Sequence, residues 1–415
     1  VFWSTPQGEP GQDLAEFVGL GASAVIRTEG PGRVREARRA IERIDAGLEA
    51  TDSRRPRFWG GLAFAPGRSA GGCWEAFGEC LFLLPRWHYE DAGAAARLGL
   101  VFRPATDDLD VLLAEGERLC DALSEPLAAP SPAPRSAALE RRESTSEAQW
   151  TELVNAIRQG IERGEVHKVV AARRSTLRLS PAPDPAAVFE RLGHSAPACT
   201  RFAVRVGART FLGATPERLA RRRGRQVTTH AIAGSIAAGE PFAAEKLLAS
   251  AKDRAEHEYV VAALREALAP LCDRLELPEE PRIRQLRHVL HLETPVAGTL
   301  SGDVHLLELV ERLHPTPAVG GVPTARALEW IARHEPAERG WYASPVGWLD
   351  AAGDGDMVVA LRSALLLEDR VHLYAGAGIV AGSEPGAEYA ETEVKLAGMR
   401  AALGVGGSGG DHAAT

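Results

Sequence analysis

The 415-residue sequence is short of the features that mark several broad classes of protein. Its five cysteines, at positions 73, 80, 120, 199 and 272, are odd in number and scattered, with neither zinc-site nor CxxC spacing. A reduced interior, and with it a cytoplasmic location, is the expectation. A basic surplus is lacking too: 48 Lys and Arg face 56 Asp and Glu, a net charge of -8, so phosphate neutralisation along a nucleic acid is not expected. The Arg221-Arg-Arg-Gly-Arg225 cluster reads as a hairpin turn instead. No run approaches the ~18 apolar residues of a membrane span. The chain begins at Val1, without an initiator Met and without a charged segment leading into an apolar one, so no secretory leader is expected. A GxxxxGK[ST] phosphate cradle is missing, and Gly30-Pro-Gly-Arg33 has neither the Lys-Ser/Thr ending nor the preceding strand of one. No internal repeat has a clear period.

What is present is an ordinary globular composition: 45% hydrophobic, 25% charged, mean hydropathy -0.14. The length allows one large core or two to three smaller ones. Phe58-Trp-Gly-Gly-Leu-Ala-Phe64, 77–85 and 96–102 read as an antiparallel meander. Further strands are expected over 166–179, 201–206, 210–212, 218–221, 285–293, 342–350, 357–367 and 371–376. Helices are expected from Gly30-Pro-Gly-Arg-Val through Leu48, over 108–123, 185–193, 243–270, 304–313 and 324–334, and after Ser146 as an N-cap. Long strands and helices without βαβ alternation give an α+β class, with large antiparallel sheets packed together and helices outside. The chain divides into an N-terminal α+β portion (1–125) that packs on a main domain (146–402), a Pro/Ala/Ser-rich surface linker (126–145) between them and a flexible tail (403–415). A monomer is the default expectation.

Residues 357–395 gather chemistry-bearing groups. Arg362 is the sole charge in the apolar run 357–367, and a second run follows the turn at 368–370. That second run ends in Gly376, Gly378 and Gly382, and the helix beyond carries Glu388, Glu391 and Lys395 on one face. This set could hold a small anion beside a cation, or form a buried ion pair and a solvated helix face. Asp253 and Glu256 repeat the i,i+3 carboxylate spacing on an earlier helix. Two such pairs could enclose a hard cation such as Mg²⁺, although acidic pairs are also common on solvated faces. Alternation places Lys168 with Val166 and Val170, as a desolvated base or a snorkelling strand-end lysine. Glu217, in Gly213-Ala-Thr-Pro-Glu217, is either a solvated turn carboxylate or a buried acid. His291 alternates into an apolar strand, where a hydrogen-bonded core histidine is the plainer reading.

The ordered series Val166-His-Lys168-Val-Val, Gly213-Ala-Thr-Pro-Glu217, Ala233-Gly234-Ser235, Ser250-Ala-Lys-Asp253-Arg-Ala-Glu256-His257, His314-Pro-Thr-Pro-Ala318, Leu361-Arg362, Tyr374-Ala-Gly376-Ala-Gly and Glu388-x-x-Glu391-x-x-x-Lys395 resembles the chorismate-utilising enzymes. The likeness is close over about 145–403 and looser before it. It implies the small-molecule substrate chorismate and the cofactor Mg²⁺, with Glu256 and Glu391 on the metal and Asp253 and Glu388 supporting through water. Arg362 and the Gly376 backbone would take the enolpyruvyl carboxylate, and Lys395 and the backbone at Gly234 and Ser235 would complete the anion cradle. Lys168 would activate a water adding at C2, and Glu217 would protonate the departing C4 hydroxyl. His291, Ala318, Tyr342 and Leu361 would line the pocket.

Ammonia-using relatives generally carry Gln or another non-basic residue where Lys168 stands, so water is the expected nucleophile. Pyruvate-eliminating relatives commonly have Thr at Ala318. These features resemble the isochorismate-forming branch, with salicylate synthases as the alternative. The Phe58-Trp-Gly-Gly strand and Leu84-Pro-Arg86 lean toward its menaquinone type over its siderophore type.

Overall fold

The computed structural model describes residues 1–6, 15–49, 55–67, 72–93, 95–125, 136–287 and 289–405. These form two large antiparallel sheets, of eleven and ten strands among the described residues. The first runs from Lys168–Ser180 through Arg370–Ile379, Ser363–Leu367, Arg209–Thr215 and Thr200–Val206 to Phe2–Ser4, Glu16–Leu20, Trp87–Asp91 and Ala96–Leu100. The second runs from Val289–Leu300 through Gln226–Ala237, Arg218–Arg223, Gly355–Val359 and Pro345–Leu349 to Phe58–Leu62, Cys80–Leu84 and Ala24–Thr28. One apolar cluster draws buried side chains from both sheets, including Trp3, Trp59, Phe82, Phe211 and Trp348. Phe17 of the first sheet stacks on Trp59 of the second, 4.0 Å between ring centroids. Helices Ala251–Leu268 and Pro385–Ala402 pack on Gln226–Ala237 and Arg370–Ile379 respectively. The expected α+β class with packed antiparallel sheets is what forms.

Several local expectations hold. Ser146 caps helix Glu147–Glu162 in a reciprocal capping box with Gln149. The arginine cluster turns a hairpin between Arg218–Arg223 and Gln226–Ala237, with Gly224 at φ +56.

Others need correction. The 58–102 strands are not one meander: Phe58–Leu62 pairs with Cys80–Leu84 in one sheet, whereas Ala96–Leu100 pairs with Trp87–Asp91 in the other. Pro85, which has no N–H for a ladder, stands where the chain leaves the first of these sheets. The expected linker contains a strand, Ala137–Glu143, on the edge of Lys168–Ser180. Its charged run is an exposed edge strand, a composition that discourages further pairing; residues 126–135 lie outside the described ones. The 243–270 helix is two, because Ser250 leaves helical geometry and caps Ala251–Leu268 by accepting from the Asp253 backbone. Strand Gln226–Ala237 carried no expectation, since the small and polar Thr228, Thr229 and His230 dilute its apolar alternation. Of the expected tail, Leu403 is fully buried, and 406–415 lie outside the described residues.

The 357–367 run is also two strands, Gly355–Val359 and Ser363–Leu367, and they belong to different sheets. Arg209–Thr215 and Arg218–Arg223 divide in the same way. The two segments run side by side, so Arg209–Thr215 pairs with Ser363–Leu367 and Arg218–Arg223 with Gly355–Val359. Together they make a bent ribbon that passes from sheet to sheet. At its bend the Thr215 hydroxyl donates to the Val359 carbonyl at 2.7 Å and the Val359 N–H to the Glu217 carbonyl at 3.0 Å. Glu217 and Arg362 stand at that bend.

Candidate active site

The bend forces two unusual placements. Arg362 takes φ +47, a left-handed conformation that costs a non-glycine residue about 1–3 kcal/mol. Glu217 is buried directly after Pro216. Both side chains line one cavity between the sheets. Burial pushes the Glu217 carboxyl up to about 7, against the opposing charges of Lys168 and Lys395. It is therefore a carboxylic acid that holds its proton near neutral pH.

Lys168 opens strand Lys168–Ser180 and is wholly buried. Its expected apolar surroundings are only half the picture, because its Nζ lies 2.9 Å from Glu256 Oε1. That contact is an ion pair by distance without hydrogen-bond alignment. On the neighbouring strand a Cβ at Gly378 would strike both Glu256 Oε1 and Lys168 Cε, so the pair needs glycine there. Gly234 (φ +74) sits in a bulge of Gln226–Ala237, where a Cβ would meet Asp253 at 2.9 Å. The bulge aims the Ser235 N–H at Asp253 Oδ1 (3.3 Å) and the Ser235 hydroxyl at Glu391 Oε1 (2.8 Å).

Helix Pro385–Ala402 supplies the facing wall. Lys395 lies 2.7 Å from Glu391 Oε1 and donates to the Gly376 carbonyl at 2.9 Å. Burial would raise the Glu391 carboxyl, but Lys395 and the Ser235 hydrogen bond outweigh it and hold it below its ordinary value. Glu388 is buried behind, 2.6 Å from Lys252, and burial together with the charge of Glu391 pushes it up. Burial likewise raises Asp253, which accepts from Ser250 and Ser235.

Of the residues expected at a site, Glu217, Gly234, Ser235, Glu256, His291 and Ala318 line the cavity, as do Tyr342, Leu361, Arg362, Gly376, Glu391 and Lys395. Lys168 lies against its wall, in contact with Glu256. Asp253 stands behind, joined to it through Ser235, and Glu388 lies outside the lining and pairs with Lys252. The four acidic residues offer only hard carboxylate oxygens from two helices, a donor set that suits Mg²⁺. Among the described residues, however, no three His, Cys, Asp or Glu side chains already stand grouped to hold a metal. Glu256, Glu388 and Glu391 are each engaged by a lysine.

Three participants had no role expected for them. Tyr374 stacks on Tyr342 at 5.1 Å and 16° to form an aromatic wall; its alternation with Gly376 and Gly378 along one strand face is the signal that finds it. Lys252 partners Glu388, and its signal is scarcity, since the chain has four lysines (168, 246, 252 and 395) among 48 basic residues. Arg339 is buried beside the cavity, donates to the Val319 and Val170 carbonyls at 2.8 Å and pairs with Glu335; nothing in its local sequence announces this.

Comparison with known proteins agrees in direction. The family model described as "Chorismate binding enzyme" matches residues 1–404. A protein of Pseudomonas aeruginosa named salicylate biosynthesis isochorismate synthase is 36% identical over 410 residues, 97% of this chain and 84% of its own length. The isochorismate synthase MenF of Bacillus subtilis is 32% identical over 97% of this chain and 87% of its own. Among solved structures, the menaquinone-specific isochorismate synthase MenF of Escherichia coli superposes with a TM-score of 0.79 at 30% identity, covering 97% of this chain and 88% of that one. Anthranilate synthase component I of Streptococcus pneumoniae, at 20% identity and a TM-score of 0.77, shares the fold.

Proposed function

The chain belongs to the chorismate-binding enzyme family, and on that premise we propose that it is an isochorismate synthase, an isomerase that moves the hydroxyl of chorismate from C4 to C2. The observation that carries the reading is Glu217, buried at the sheet-to-sheet bend and held as an acid up to about pH 7, with Lys168 near enough for its charge to be felt. A substitution with allylic shift needs a proton donor for the departing hydroxyl and an acceptor for the proton of the incoming water. Glu217 donates to the C4 oxygen, which leaves as water. Lys168, in its neutral amine form, takes a proton from the water that bonds to C2, the ring double bonds shift, and the net composition does not change.

The substrate carries two carboxylates. Arg362 suits the enolpyruvyl one through its forked donors, and Lys395 adds positive charge close by. The Tyr342–Tyr374 wall and Leu361 exclude water from the ring. A bound Mg²⁺ would be held by Glu256 and Glu391, with Asp253 and Glu388 behind, and would grip and polarise the ring carboxylate. Ala318 leaves its part of the cavity without a hydroxyl, which favours release of isochorismate over the pyruvate elimination of a salicylate synthase.

A relative named for salicylate biosynthesis and a solved structure named as menaquinone-specific are both similar. The menaquinone role is the one we infer, on the Phe58-Trp-Gly-Gly strand and Leu84-Pro-Arg86. A reducing cytoplasmic location fits the five unpaired cysteines; a monomer is the default we infer. Among the described residues no helix is long and apolar enough to cross a membrane.

Turnover in H₂¹⁸O tests the route. One heavy oxygen should enter isochorismate at C2, and Lys168→Ala should lower that turnover by about 10²–10⁴-fold. Retention of the original oxygen, or near-normal turnover by the variant, would reject water addition with Lys168 as base.

A further inference from the structure

His291 lies in strand Val289–Leu300, opposite Ser235 at the bulge that Gly234 creates. Its ring is buried between two fixed partners. Nδ1 stands 3.2 Å from the Gly234 carbonyl oxygen, and Nε2 stands 3.0 Å from Arg362 Nη2. A carbonyl oxygen can only accept a hydrogen bond and a guanidinium can only donate. The first contact therefore requires a proton on Nδ1, and the second requires Nε2 to be bare. An imidazolium would aim an N–H at another N–H and set two positive charges 3.0 Å apart. We propose that His291 is a positioning residue locked as the neutral Nδ1–H tautomer, whose Nε2 accepts from Arg362 and fixes the direction of its guanidinium.

The surroundings support that assignment. The charged groups that act on the ring are Arg362, Lys395 and Glu391. Arg284, paired in register across the neighbouring strand, is spent on Glu293 at 2.6 Å. Burial first, then Arg362 and Lys395, push the imidazole down to about 3. Arg362 has no carboxylate partner among the described residues, and the imidazole is the side chain it donates to. A buried guanidinium steered by a neutral acceptor keeps its full charge for an incoming anion. A carboxylate in the same place would instead have cancelled it. The bend holds the Arg362 backbone, and His291 holds the far end of its side chain.

The inference rests on the reading of Arg362 as a carboxylate ligand, and two measurements separate the fates of the two ideas. Nitrogen-15 NMR of the histidine side chains in the full-length, substrate-free protein, with His291 assigned through His291→Gln, should find protonated Nδ1 and bare Nε2 from pH 5 to 8. A protonated Nε2, or titration to imidazolium near pH 6, would overturn the tautomer lock whatever the enzyme does. In steady-state kinetics His291→Leu should raise KM for chorismate by about 10–100-fold, the range of one hydrogen bond to a charged group, with a much smaller change in kcat. His291→Gln, whose Oε1 can replace Nε2 as acceptor, should recover most of the loss. A matching fall in kcat for both variants at unchanged KM would place His291 on the reacting atoms and refute a positioning role. Failure of the wild-type protein to convert chorismate would sink the functional reading, and the NMR result would still decide the hydrogen-bond assignment.

Discussion

Glu217 shows how one side chain couples stability to function. Its carboxyl goes from an ordinary 4.5 to about 7 on folding. Below about 4.5 it is protonated in both states; between the two values the folded protein binds a proton that the unfolded chain has released. Stability contributed by that proton is lost as pH rises through 7, and above it the folded state must bury an anion. Glu217→Gln should therefore leave stability near pH 4.5 little changed and raise it at pH 8 by up to about 3 kcal/mol, while turnover falls by about 10²–10⁴-fold. Denaturant melts at both pH values check this, and an equal effect at the two would contradict it. Residue type and motif made Glu217, Lys168, Glu391 and Arg362 legible in the sequence. Burial made the difference for Glu217, and burial depends on a bend that no local pattern announces. Lys252 was overlooked because a lysine in an acidic helical segment looks like surface charge; its contact is with a carboxylate 136 residues away.

At the scale of elements, the site is built from interruptions of regular structure. The 357–367 run reads as one strand because Val, Ala and Leu continue on both sides of Arg362. The change to φ +47 has no signature in a non-glycine residue. The glycines were more informative, since Gly376 and Gly378 in an apolar strand signal close approach, although what approaches was not readable. For Gly378 it is the Lys168–Glu256 pair. Gly378→Ala should displace those two side-chain ends and lower turnover by about 10²-fold, the cost of roughly 1 Å of misplacement. Its effect on stability should be small because both ends are flexible. Unchanged turnover, measured alongside a thermal melt, would remove the pair from the site.

For the whole molecule, the division near residue 125 does not separate two cores. Phe2–Ser4 pairs with Thr200–Val206, and Phe58–Leu62 pairs with Pro345–Leu349, so the N-terminal portion supplies strands to both sheets. Composition and periodicity gave the class, but pairing between strands nearly 300 residues apart lies beyond any local pattern. One cooperative unfolding transition is expected, followed in parallel by tryptophan fluorescence and far-UV circular dichroism. Two separated transitions would instead indicate an N-terminal unit that unfolds on its own. Two shared sheets also explain how Lys168, Glu217, Glu256, Arg362 and Glu391, spread over more than half the chain, reach one cavity.

The most direct test of what that cavity does is to incubate the purified protein with chorismate and Mg²⁺, separate the products by chromatography and assay pyruvate in the same samples. Isochorismate without stoichiometric pyruvate is the expected result; salicylate with equal pyruvate, or no loss of chorismate, would contradict the assignment.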